Sequence, residues 1–323
     1  MGVVSLLLTP FRRGCVAASA FLVALSAGCT ATPVAPVVPS ATAVAVTSSP
    51  SASSASAAPS ASASANPTLT SPPASAPLQL TSITNFRDVA GAGLALPGGK
   101  HMATGVVYRS ATLKGLSAKD ANALRKAGVG EVIDLRTDYV AAHSPDPAIK
   151  GVAHHVVNIF AVTRTTSVQY RTVAAAQAHM RQMNVDFVDV AAQRRKIAKA
   201  LTLIAAAEGP VLFHCTEGKD RSGWISAVLQ LTAGASRAEV DTEYLKSNVF
   251  RAELIDAAYR AKLKSSGRTA ADVERALMKV QSDYLGAGLD ELTARYGDID
   301  GYLSKGLGLS AATVQRLRER LTA

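Results

Sequence analysis

Two spacings of apolar residues recur along the second half of this chain. Gly209-Pro210 leads into Val211-Leu212-Phe213, a short unbroken apolar run of the kind that forms a strand buried on both faces. Immediately beyond it, Trp224, Ile225, Val228, Leu229 and Leu231 recur at helical spacing until Gly234 ends the pattern. The same alternation appears upstream. Residues 131–135 and 155–159 read as buried strands, and Ser117-Ala118-Lys119-Asp120 caps a helix through Ala127 that Gly128 stops. Leu94 to Leu96, a Pro97-Gly98-Gly99 turn and Gly105 to Tyr108 predict an early hairpin. Residues 168–206 are helical by pattern, Ser236-Arg237-Ala238-Glu239 is a second capping box, and the remainder reads as helices separated by glycine-containing turns. Strands alternating with helices predict an α/β fold, a central mostly parallel sheet flanked by helices.

The first eighty of the 323 residues carry neither pattern. Residues 1–28 place Arg12 and Arg13 ahead of an apolar run, Cys15 to Leu25, followed by small residues. That run is too short to span a bilayer and reads as a signal peptide. Leu25-Ser26-Ala27-Gly28-Cys29 is of lipobox type, with Cys29 as the lipidation site. Residues 29–80 form an Ala/Ser/Pro-rich linker, and from Thr30 onward it contains no charged or aromatic residue. Such a segment buries too little apolar surface to offset its ordering entropy, so disorder is expected. Residues 81–323 remain as one catalytic domain. The expected location is the outer face of the cell membrane, held by the lipid anchor only, or outright secretion if Cys29 is left unmodified.

Charge and cysteine usage narrow the function. Of 34 basic residues only Arg12 and Arg13 precede the domain, which with all 24 acidic residues therefore carries +8. That balance suits an anionic substrate, but no basic stripe is interleaved with aromatics, so nucleic-acid binding is not expected. Of three cysteines, only Cys215 lies in the domain, which excludes an internal disulfide. His101, His143, His154, His155 and His179 have no metal-ligand spacing along the chain, so structural roles are expected. No metal or organic cofactor is implied.

The chemistry concentrates between Phe213 and Gly223. Cys215 and Arg221 stand six positions apart at a strand-to-helix junction. A loop of that length wraps around one small anion, its N–H groups inward and the positive end of a helix beneath. Those groups and a guanidinium lower a thiol from about 8.5 by several units, making Cys215 a nucleophile without a general base. Arg221 is suited to grip two phosphoryl oxygens through its planar fork. Attack on phosphorus gives a phosphocysteine that water hydrolyses. Thr216, Glu217, Gly218, Lys219 and Ser222 complete the expected substrate-binding loop, with Ser222 donating to the sulfur and His214 orienting the loop. A protein that merely captures phosphorylated ligands needs no thiolate, and sulfur transfer does not demand Gly218-Lys219-Asp220-Arg221.

His214 to Gly223 resembles the signature loop of cysteine-dependent protein tyrosine phosphatases, and more narrowly the bacterial secreted group reading His-Cys-x-x-Gly-Lys-Asp-Arg-Ser/Thr-Gly. Asn85-Phe86-Arg87-Asp88-Val89-Ala90-Gly91, Tyr108-Arg109-Ser110-Ala111, Val132-Ile133-Asp134-Leu135-Arg136-Thr137 and Gly306-Leu307-Gly308-Leu309-Ser310 are similar to further landmarks of that group. The resemblance implies a tyrosine phosphatase-like fold and a phosphorylated protein as substrate, with phosphoserine, phosphothreonine or phospholipid as extensions. It also implies helices covering the site within residues 160–190, and Asn85, Arg87 and Asp88 bracing the loop. One departure is Glu217, a carboxylate where the group places small or apolar residues. It repels dianionic substrates unless Lys219 offsets it. The resemblance makes Asp220 the candidate general acid. Asp134, at the C-terminal end of a parallel strand where α/β sites collect, is its main rival, with Asp138 behind.

Overall fold

The computed structural model describes residues 77–163 and 168–322. The expected signal peptide, the Cys29 lipidation site and nearly all of the expected linker lie outside the described residues. Leu78 and Leu80, assigned to the linker by composition, already pack against a core cluster containing Phe86, Tyr108, Leu124 and Leu212. Folded packing therefore begins slightly before residue 81. Among the described residues no helix is long and apolar enough to cross a membrane.

Five strands form one sheet. In chain order they are β1 (Arg87–Asp88), β2 (Val107–Ser110), β3 (Glu131–Asp134), β4 (Ala153–Val156) and β5 (Val211–His214), arranged β1-β2-β5-β3-β4. Only β1 runs antiparallel; β2, β5, β3 and β4 are parallel neighbours. β5 is central, with Leu212 in register with Tyr108 on one side and Val132 on the other. All four of its residues are buried, which is why its sequence is unbroken apolar rather than alternating.

The helices are α1 (Ala118–Lys126), α2 (Asp138–His143), α3 (Val173–Asp189), α4 (Ala191–Ala206), α5 (Arg221–Ala233), α6 (Arg237–Phe250), α7 (Ala252–Met278), α8 (Ser282–Tyr296), the single turn α9 (Ile299–Gly301) and α10 (Ala311–Leu321). The caps follow the sequence. Ser117 Oγ accepts from Asp120 N, and Ser236 and Glu239 form a reciprocal capping box. Gly234 closes α5 in the left-handed region at φ 102°. α5 is buried at 12 of its 13 positions, so it is a core helix, not a surface one. Three of its polar side chains are satisfied internally. Ser226 and Thr232 donate to carbonyls one turn back, and Gln230 donates to Val89 O.

Three expectations change. The Pro97-Gly98-Gly99 turn is made, but it joins Leu94–Leu96 to residues 100–102, with Ala95 bridged to His101, while Val107–Ser110 pairs with Arg87–Asp88. The strand expected at 155–159 is β4, which starts at Ala153 and ends at Val156, and as an edge strand it is largely exposed. Gly267 does not end a helix; it kinks α7 at φ 81°. Within the region expected to cover the site, α3 packs on α4, α7 and α8 and buries Met180 and Phe187.

Candidate active site

The loop between β5 and α5 is held open by what its carbonyls do. Thr216 O accepts from Thr112 N at 3.1 Å, Glu217 O from Asn85 Nδ2 at 3.0 Å, and Gly218 O from Arg109 Nη2 at 2.7 Å. A trans peptide sets each C=O opposite the following N–H. Three outward carbonyls therefore turn the amides of Glu217, Gly218 and Lys219 inward. The Gly218 N–H does lie 3.2 Å from Cys215 Sγ. This is an anion nest at the start of a core helix. Gly218 cannot be replaced without distortion, since its φ is +68° and a Cβ there would stand 2.5 Å from the Ser110 carbonyl.

Cys215 is 1% exposed. Burial alone pushes its thiol up, but the Arg221 guanidinium and the Ser222 hydroxyl and N–H outweigh this and bring it below its ordinary value. The Ser222 hydroxyl has no other hydrogen-bond partner among the described residues. Arg221 is braced by Leu135 O at 3.3 Å and Thr216 Oγ1 at 3.2 Å, and its Cζ lies 4.5 Å from the centroid of the Phe160 ring. Among the described residues its Nε has no hydrogen-bond partner, leaving a donor for a ligand oxygen. Beneath the loop, burial pulls Arg109 down to about 9, still protonated at neutral pH, with Arg87 nearby adding to the fall. Arg109 is thus both a carbonyl clamp and a second cation near the sulfur.

The two candidate acids separate clearly. Asp134 is wholly buried and gripped by Arg136, whose Nε and Nη2 reach its two oxygens at 2.6–2.9 Å. A carboxylate so paired is a structural ion, and its C-terminal strand position is used to anchor Arg136. Asp138 accepts from Asn158 Nδ2. Asp220 sits in the loop itself, its Oδ1 2.8 Å from Lys219 Nζ. Lys219 is buried and its Nζ is turned onto Asp220.

Glu217 is neutralised from an unexpected direction. Its Oε2 lies 2.8 Å from Arg251 Nη2 and 3.9 Å from Lys219 Nζ. Arg251 also donates to Met278 O at 2.6 Å, so one guanidinium joins both ends of α7 to the loop rim. Of the residues expected to brace the loop, Asn85 and Arg87 do so, while Asp88 is bonded elsewhere. Arg87 pairs with Glu243 and donates to Asn85 Oδ1, Asn85 holds Glu217 O, and Asp88 accepts from Gly105 N and Ala90 N.

Arg109 and Arg136 stood within the landmark segments of the sequence reading, whereas Asp146, Phe160 and Arg251 are the site residues that it did not single out. Each comes from a separate element, and no local spacing marks any of them. Asp134, Asp146, His154 and His214 bring ligand-type atoms within 4.8 Å of one another, a spacing a cation could use. Arg136 already holds both carboxylates, however, with Nη2 2.8 Å from Asp146 Oδ2. The cluster is therefore an ion network. Burial pushes Asp146 up, but His214, Arg136 and His154 together bring it down to about 2. Its stabilising effect is full above about pH 4, where a free Asp is ionised, and is lost as pH falls toward 2.

A buried thiol held below its normal range, a nest of amides and a braced guanidinium are the groups that cysteine-dependent phosphate chemistry requires. Residues 78–323 match the model of the tyrosine phosphatase family, and the chain belongs to that family. A Cupriavidus necator protein named as a candidate tyrosine-protein phosphatase is 28% identical over 242 residues, covering 74% of this chain and 86% of its own length. The triple specificity protein phosphatase PtpB of Mycobacterium tuberculosis is 28% identical over 275 residues, covering 74% and 97%. Among solved structures, P. aeruginosa TpbA in complex with phosphotyrosine aligns at 21% identity and a TM-score of 0.25, over 55% of this chain and 89% of its own. The protein is a tyrosine phosphatase, a phosphoric monoester hydrolase with a mixed α/β fold.

Proposed function

We propose that the protein hydrolyses phosphotyrosine through a phosphocysteine on Cys215. The observation that carries this is the Gly218 N–H pointing at Cys215 Sγ while the loop's carbonyls are pinned outward. Sγ attacks phosphorus as the ester oxygen departs, and Arg221 holds two of the equatorial oxygens. The inward amides hold the charge that develops on them, a preorganised arrangement that needs no reorientation during reaction. Lys219 moves from Asp220 to the incoming phosphate. Asp220, released from Lys219, is the carboxyl placed to protonate the leaving oxygen. In the second step the same residue takes a proton from the water that cleaves the S–P bond.

The Glu217–Arg251 pair removes net repulsion at the rim, which supports extension to phosphoserine, phosphothreonine and phosphoinositides. The 28% identical relative named for triple specificity supports it too. Export with a lipid on Cys29 belongs to the same proposal and is supported by the sequence of residues 1–76.

Wild type and Asp220→Asn are to be assayed together on p-nitrophenyl phosphate, a phosphotyrosine peptide, a phosphoserine peptide and a phosphoinositide. Removing a general acid costs roughly 10²–10⁴. The loss should be smallest for p-nitrophenolate, which leaves without a proton, and larger for phosphotyrosine and the alkyl esters. Equal loss on all four would remove Asp220 from the acid role. Turnover of the aryl esters alone would confine the activity to phosphotyrosine.

A further inference from the structure

His214 ends β5 immediately before the nucleophile and is wholly buried. Its Nδ1 lies 3.2 Å from the Cys215 carbonyl oxygen; its Nε2 lies 2.9 Å from Asp146 Oδ2 and 3.9 Å from Asp134 Oδ1. All three oxygens can only accept. A neutral imidazole has one N–H and one bare lone pair. With hydrogen on Nε2 alone, the Nδ1 lone pair faces the Cys215 carbonyl; with hydrogen on Nδ1 alone, an uncharged ring nitrogen lies 2.9 Å from a carboxylate oxygen. Nε2 makes no hydrogen bond among the described residues, so what favours hydrogen on both nitrogens is the non-directional attraction between a charged ring and the Asp146 carboxylate.

The local charge count agrees. Two enclosed carboxylates, Asp134 and Asp146, face a single buried guanidinium, Arg136. Arg136 meets both oxygens of Asp134, and only one of its nitrogens reaches Asp146. A buried charge left without a full partner is costly. The two remaining groups at Asp146 Oδ2 are His214 and, at 3.1 Å, His154. The His154 side chain is 40% exposed and lines a cavity of about 230 Å³ with Asp146, Pro147 and Ile149, so solvent screens its share. His214 is enclosed. In the sheet its register neighbours are Ser110 and Asp134.

We propose that Asp146 is a positioning residue for the phosphatase reaction: it holds His214 doubly protonated behind Cys215, adding a buried cation to Arg109 and Arg221 around the thiolate. This rests on Cys215 being the nucleophile, and it gives a residue 69 positions away in the chain control over that group's ionisation. Two different elements, the loop after α2 and the end of β5, must meet for the sulfur to be fully activated.

The test uses the full chain with ¹⁵N-labelled histidine. In wild type at pH 7 both ring nitrogens of His214 should carry hydrogen. In Asp146→Asn one should be lost. In parallel, the rate at which iodoacetamide alkylates Cys215 is followed against pH. Losing a neighbouring opposite charge shifts a group by about one unit or more. The half-maximal pH in Asp146→Asn should therefore rise by about one unit, with kcat/KM down about tenfold on the acid side and recovering toward wild type on the alkaline side. His154→Gln, which touches the same oxygen from the surface, should leave both readouts within about twofold. A singly protonated His214 in wild type overturns the proposal, even if the variant does not fold. So does an equal shift in His154→Gln, which would mean general loosening of the network. An ordinary thiol profile in wild type would instead sink the nucleophile assignment, while the histidine spectrum stays readable.

Discussion

Cys215→Ser is expected to abolish turnover of p-nitrophenyl phosphate, by roughly four to six orders of magnitude in kcat, the scale set by deleting a nucleophile elsewhere. The physical reason is the state of the sulfur. Burial opposes ionisation of Cys215, yet Arg221 and Ser222 bring the thiol below its ordinary value. A serine hydroxyl in the same nest stays protonated at every pH the fold tolerates, because the surrounding cations cannot close so large a gap. The nest itself is untouched, since Thr112, Asn85 and Arg109 still pin the carbonyls of residues 216–218. The variant should therefore still bind phosphotyrosine peptide, within about tenfold of wild type by calorimetry. Wild-type activity should rise with pH through the lowered thiol value and be flat where a free cysteine would still be titrating. Retained turnover in Cys215→Ser would move the chemistry to another residue.

Arg221→Lys should cost roughly 10²–10³ in kcat while the protein stays folded, comparable to losing a preorganised donor to developing charge. Charge is conserved, so the loss isolates geometry. Arg221 spans Leu135 O and Thr216 Oγ1, stacks on Phe160 and keeps its Nε for the substrate. An ammonium is a point charge on a flexible stem and cannot make these contacts together. Stability is checked by thermal unfolding and activity with saturating substrate. Near-normal turnover would show that charge alone suffices and that the planar fork is not used.

The loop from Cys215 to Arg221 and the elements carrying it were legible in the sequence because they are local. An apolar run, a glycine-bearing loop and a helical period within twenty-five residues specify β5, the nest and α5. Caps at Ser117 and Ser236 were readable for the same reason. What sequence could not show is which distant groups complete the site. Arg251 answers Glu217 from a helix junction, Arg109 clamps Gly218 from β2, and Asp146 meets His214 through a loop. Each is a long-range pairing fixed by the sheet order, and no periodicity encodes sheet order. The edge position of β4 was missed similarly. Its neighbours on one side only are a property of the assembled sheet, and the pattern of residues 153–159 alone reads equally as a buried strand. Asp134 carries the general lesson for candidate acids. A carboxylate at the right end of a parallel strand can be wholly occupied by a buried arginine two residues away.

Acid-quenched single turnover with ³²P-labelled phosphotyrosine peptide, followed by mapping of the labelled fragment, tests the central mechanism most directly. Label should appear on the fragment containing Cys215, form at least as fast as steady-state turnover, and accumulate when release is slowed in Asp220→Asn. Label on another side chain, or none trapped on Cys215 while turnover proceeds, would contradict it.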